Sequence, residues 1–153
     1  MANFADIVEY KGNRVRLGWH NLATYATLSS SSNTYVNFKT NQPLNTYVMN
    51  YVSLIGGRLG NPNISMCSWT WYSYSYLIAH GMQSLAPGIT PTNIYMSSDG
   101  YVCFSGQMND LATSASSYLH LHLEYISANP TGAGYNLQIT AQTVFANTGT
   151  YYA

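Results

Sequence analysis

Charge is what this chain lacks most. Five basic and five acidic residues stand among 153, or 7%, against roughly a quarter in an ordinary soluble domain. The cations are Lys11, Arg14, Arg16, Lys39 and Arg58; the anions are Asp6, Glu9, Asp99, Asp110 and Glu124. So few cations offer no basic stripe to neutralise phosphates, which argues against a nucleic-acid partner. Zero formal charge also removes the self-repulsion that keeps monomers apart, so an assembly that buries surface is expected.

Other absences narrow the reading further. The start, Met1 to Asp6, has neither the basic residues nor the apolar stretch of a signal peptide. No segment approaches the ~18 apolar residues of a membrane span. The expectation is a soluble protein made in a cytoplasm, with no membrane insertion. Two cysteines outside any CxxC motif make no disulfide framework. Cys67 and Cys103 each lie in an apolar, aromatic stretch, so buried free thiols are expected, with a bond between them as the alternative. GxSxG, P-loop, HExxH and Rossmann glycine patterns are missing. A glycosidase needs two carboxylates facing one bond, and five in all give it little room. Neither an enzyme nor a cofactor is expected.

What the chain has instead is fifteen tyrosines and forty-six Ser, Thr or Asn residues. It meets water with phenols, hydroxyls and amides. Tyrosine adds a wide apolar ring with a polar tip, fixed at low entropic cost. Hydrophobic residues make up 46%, enough for one domain with a substantial core rather than for disorder.

Glycine and proline cut the sequence into short pieces without helical periodicity, and most of these read as strands. In 34–40, Val36 and Phe38 share a face; in 101–107, Val102 and Phe104 do. In 135–145, Tyr135, Leu137, Ile139, Ala141 and Phe145 oppose Asn136, Gln138, Thr140 and Gln142, the pattern of a half-buried antiparallel strand. Segment 46–55 is apolar on both sides: Val48, Val52 and Leu54 against Tyr47, Met49, Tyr51 and Ile55. Such a strand predicts a core on one side and an interface on the other. Turns are expected at 60–63, 86–88, 97–100 and 129–132, and Asp99-Gly100 is the strongest hairpin signal. With strands at 14–19, 64–79, 92–97 and 118–126, the count is about eight, which fits an all-β, antiparallel β-sandwich of jelly-roll type. The serine run before Thr34 marks the only internal boundary: an extended lead-in or shaft connection over 1–33, then a head over 34–153.

Three groups of residues could carry function. In Leu119-His120-Leu121-His122-Leu123 the leucines point to one side, and both imidazoles share the other with Glu124. Across a three-fold axis His120 and His122 could ligate a metal; otherwise they line a polar face or an interface. In the run from Cys67 to Tyr76, Trp69 and Trp71 share one side, and Tyr72, Tyr74 and Tyr76 the other. The favoured reading makes the tryptophans core and the tyrosines an interface, together with Tyr47, Met49 and Tyr51; stacking on sugar rings is the alternative. Ligand contact is expected from the small, polar segments 61–65, 81–92 and 107–117 between rigid strands. These give Asn61, Asn63, Gln83, Asn109, Asp110 and Tyr118 as candidates.

The order of these pieces resembles the C-terminal head of a bacteriophage tail fibre: Thr34 to Phe38, Tyr47 to Gly57, the Trp/Tyr strand, the hairpin Tyr95 to Phe104, then the alternating strands 118–126 and 135–145. The resemblance covers about residues 34–146 and rests on order and style. It implies a β-sandwich homotrimer at the fibre tip of a virion, binding host-surface glycan or protein beside other virion proteins. The alternatives are a structural virion protein for capsid decoration or tail assembly, and a small polysaccharide depolymerase.

Overall fold

The computed structural model describes residues 5–10, 13–26, 34–58, 64–109, 117–129 and 134–153. Ten strands run through them, in place of the eight expected. They are β1 (Ala5–Tyr10), β2 (Asn13–Ala26), β3 (Tyr35–Pro43), β4 (Val48–Arg58) and β5 (Ile64–Ser73). Then come β6 (Leu77–Pro87), β7 (Ile89–Met96), β8 (Tyr101–Met108), β9 (Ser117–Asn129) and β10 (Ile139–Ala146). One sheet has the order β1-β2-β9-β4-β5-β6 and the other β10-β3-β8-β7. All pairings are antiparallel, and the expected β-sandwich is what forms. The nesting of a jelly roll holds for its outer pairs, β2 with β9 and β3 with β8. Inside them, β4-β5-β6 and β7-β8 are plain hairpins.

Alternation places the core. Val48, Val52 and Leu54 from β4, Trp69 and Trp71 from β5, and Leu119, Leu121, Leu123 and Tyr125 from β9 are buried. They meet Val36, Phe38, Val102, Phe104 and Met108 from the other sheet. Phe104 sits at the centre, its ring 4.9 Å from Trp69, 5.2 Å from Phe38 and 5.7 Å from Trp71. Each buried indole N–H has an acceptor: Trp69 Nε1 donates to Ser105 O at 2.9 Å and Trp71 Nε1 to Gln42 Oε1 at 2.8 Å. Both tryptophans are therefore core, as their side of the strand predicted, at no cost in unpaired donors.

The β7–β8 hairpin forms where Asp99-Gly100 predicts it. Gly100 takes φ 89°, a region open to glycine, and Ser97 Oγ bridges Asp99 Oδ1 and Tyr101 N. Three other expectations are corrected. Segment 64–79 is two strands, because residues 74–76 form a tight turn closed by Tyr74 N to Tyr76 O at 3.1 Å. Segment 81–92 is no loop: β6 and β7 occupy it, and only the expected turn at Gly88 interrupts them. Gly88 turns the corner between the sheets, donating to Ile64 O at 3.2 Å and accepting from Asn109 N at 3.0 Å. Finally, the strand expected over 135–145 starts only at Ile139, and register shifts break its ladder on β3. At Phe145 the backbone takes a left-handed φ of 65°, so Val144 and Phe145 both pack against the core.

Residues 13–26 belong to the six-stranded sheet, with β2 paired to β9 from Arg14↔Asn129 to Ala26↔Ser117. Cys67 and Cys103 are buried free thiols. Burial pushes their pKa values up to about 12 and about 11, which keeps both protonated and inert at neutral pH.

Candidate functional site

The two sheets treat their outer sides differently. On the four-stranded sheet, residues 147–153 fold back over polar side chains. Asn37 Nδ2 donates to Thr148 O at 2.9 Å, and Ser105 Oγ and Asn93 Nδ2 both donate to Gly149 O. Tyr151 N donates to Asn37 Oδ1, Tyr152 N to Tyr95 Oη, and Ser98 N to Tyr152 O. Asn37 and Ser105 are fully buried beneath this strap.

The outer side of the six-stranded sheet carries no such cover among the described residues. Register aligns its side chains in cross-strand rows. One row runs Leu17, Ile126, Tyr51, Thr70, Gly81; the next runs Trp19, Glu124, Ser53, Ser68, Gln83; a third runs Asn21, His122, Ile55, Met66, Ala86. Leu17, Met49, Tyr51, Ile55, Ile64, Met66 and Ile126 are each between 37% and 52% exposed. Together they leave open roughly 600 Å² of largely apolar surface, at the top of what monomers carry and approaching the ~800 Å² each partner brings to a standard interface.

Small side chains hollow the middle of this face. A depression of about 290 Å³ is lined by residues including Tyr51, Ser53, Ile55, Met66, Ser68, Gln83 and Leu85. A second, of about 420 Å³, adjoins it between Tyr51, Ser68, Thr70, Gly81, Met82 and Gln83. At the sheet's end the β5–β6 turn carries a tyrosine cluster. Tyr74 lies 5.1 Å from Tyr47 and 6.1 Å from Tyr76, both edge-on, and stacks 6.2 Å from Tyr72. The turn is held by Asn45 N to Tyr74 O at 2.7 Å and Tyr47 N to Ser73 O at 2.9 Å. Asn45 and Tyr47 accept left-handed φ values of 63° and 54° to make these bonds, a strain that persists only where the surroundings impose it. Those surroundings include the buried Gln42 amide, which takes Trp71 Nε1 and Asn50 Nδ2 and gives to Thr46 Oγ1.

The expected site residues divide accordingly. Met49, Tyr51 and Tyr72 lie on the outer face, as the alternation predicts. Tyr74 and Tyr76 were expected beside Tyr72 on one strand face; they sit instead in the turn, because β5 ends at Ser73. Gln83 was expected in a loop and lies in β6, lining both depressions. Asn109 follows β8 and donates to Thr90 Oγ1 at 2.7 Å. Asn61, Asn63 and Asp110 fall outside the described residues, as does the side chain of Tyr118. His120, His122 and Glu124 do share the outer face. His122 pairs through Nδ1 with Asn21 Oδ1 at 2.6 Å and through Nε2 with Glu124 Oε1 at 3.2 Å. Among the described residues no three His, Cys, Asp or Glu side chains group as metal ligands within the chain. Ser53, Ser68 and Thr70 were missed; alternation with Trp69 and Trp71 was the signal that could have placed Ser68 and Thr70.

Fold and surface together define an antiparallel β-sandwich with one self-covered face and, among the described residues, one open face whose strip along β5 is aromatic and hydroxyl-bearing. Comparison with protein-family models, curated proteins and solved structures finds no match for this chain.

Proposed function

We propose that this chain is a non-enzymatic recognition domain of the kind found at the tip of a phage tail fibre. It works as a homotrimer in the virion and binds a host-surface receptor several times over. The observation that carries this reading is the row of half-exposed apolar residues on β2, β9 and β4. A face of that size, on a chain with no net charge, suits a lasting contact between copies. Threefold assembly then repeats the ligand surface, and weak single sites combine into avidity without catalysis.

The test joins mass to adsorption. The purified chain is expected to sediment as a trimer, to bind candidate host cells, and to compete with phage for them. A stable monomer removes the assembly half of the proposal. Binding to a virion component with none to any cell transfers the chain to the structural proteins of capsid or tail.

A further inference from the structure

Resting on that reading, we infer that the ligand is a linear, uncharged saccharide and that it lies along the outer side of β5, from the tyrosine turn to the serine-floored hollow. Tyr74, Tyr72, Thr70 and Ser68 follow one another along this line, with Tyr76 beyond and Tyr51 and Gln83 on the flanking strands. Six residue steps from Ser68 to Tyr74 span ~20 Å, long enough for several sugar units.

The chemistry changes along the strip in a way that suits sugars. At the turn, exposed phenol rings present flat apolar surfaces to which the C–H side of a pyranose can stack. In the hollow the groups are Ser53, Ser68 and Thr70 hydroxyls and the Gln83 amide, all able to exchange hydrogen bonds with sugar hydroxyls. Among the described residues no Asp, Glu, Lys or Arg lines either depression, so none of these would pair there with an acidic polymer or a charged peptide. Glu124 stands opposite Ser53 at the margin, placed to accept from hydroxyls. Gly81 and the short side chains keep the trough open beside Tyr51.

The hollow borders the proposed contact between copies at Tyr51 and Ile55, and size sets the tyrosine end of the strip apart from it. Tyr47, Tyr74 and Tyr76 are 47%, 42% and 60% exposed, an area of roughly 300 Å² and well below the ~800 Å² a protein partner needs. They also lie past the last ladder pair, Val48↔Ser73, on a turn whose backbone is already fixed. Rings held in place before binding lose little freedom when a ligand stacks on them.

The probe is an array of neutral, acidic and sulfated oligosaccharides, overlaid with the full-length chain in its native assembly. Neutral glycans are expected to be retained, with little change in affinity as salt rises from about 0.05 to about 0.5 M, since screening acts only on charge. Tyr72→Ala/Tyr74→Ala should weaken retention at least tenfold, and Ser68→Trp should block it by filling the trough, both at unchanged mass and melting temperature. Retention of acidic or sulfated glycans alone, no retention at all, or full binding by both variants overturns the inference. Host-cell binding tells the two readings apart. If both variants adsorb like the parent chain, the strip is wrong and the receptor-binding reading stands. If the parent chain itself does not adsorb, that reading fails.

Discussion

The outer faces of the two sheets solve one problem in opposite ways. The four-stranded sheet presents Asn37, Asn93, Tyr95 and Ser105, and the chain covers them with its own residues 147–153. The six-stranded sheet presents Leu17, Met49, Tyr51, Ile55 and Ile126 and leaves them half open. Buried polar groups need partners at fixed positions, and a folded-back backbone supplies donors and acceptors at known places. Apolar surface needs only area, which another copy can provide. What the chain must define atom by atom it covers itself, and what it can define by area it leaves open.

Changing the open face should have the largest effect. Tyr51→Glu places an unpaired charge in the proposed contact, where burial costs about 3–5 kcal/mol. Sedimentation is expected to show particles of 16.9 kDa, while the stability of the single chain moves by no more than about 0.5 kcal/mol. An intact assembly would mean that this face is not what joins the copies.

The covered face gives the next largest change. Removing residues 147–153 strips partners from Asn37 and Ser105 and should cost about 2–4 kcal/mol in urea unfolding. Gly149→Ala tests the same contact more finely, because an added Cβ would run into Asn93, Tyr35 and Ser105 side chains. Its cost should be about 1–2 kcal/mol. If neither change alters the midpoint, the strap is only resting on the sheet.

The smallest effect is one of pH. Burial raises the pKa of Cys67 to about 12, of Cys103 to about 11 and of Tyr125 to about 12, above the 9.0 and 10.0 of free thiols and phenols. The unfolded chain therefore loses these protons first. Stability is complete below about pH 9 and falls as pH climbs through the folded values. Urea midpoints at neutral and alkaline pH check this. In the chain lacking the strap, Cys103 should become reactive to a thiol reagent while Cys67 stays silent, since Cys103 alternates with core-facing Val102 and Phe104 on β8 and Cys67 packs in the core.

Much of the sandwich was legible because alternation reports burial directly. β4, β8 and the tryptophan side of β5 all face as their pattern implies, and Asp99-Gly100 makes its hairpin. The split of 64–79 was hidden for a physical reason. Its turn, Tyr74-Ser75-Tyr76, contains no glycine or proline, and main-chain donors from residues 45 and 47 hold it. β6 was missed because residues 79–85 are exposed on both sides, which erases the alternation that marks a strand. The strap left no trace either, since the carbonyls of Thr148 and Gly149 could belong to any residue. Of the open face, Tyr51 and Gln83 stood out by type. Ser53, Ser68 and Thr70 did not, because hydroxyl residues are everywhere in this chain.

The pairing of β2 with β9 also sets a clock. Its partners lie roughly a hundred residues apart in the chain, and such distant contacts form late and slowly. At about 5–20 residues per second, a ribosome needs on the order of 5–20 s to deliver β9 after β2 has emerged. Through that interval β4 lacks one of its two neighbours and β2 is paired with β1 alone. A chain with so little charge to keep nascent copies apart must bridge the wait without sticking to others, so its yield in a cell depends on the pace of synthesis.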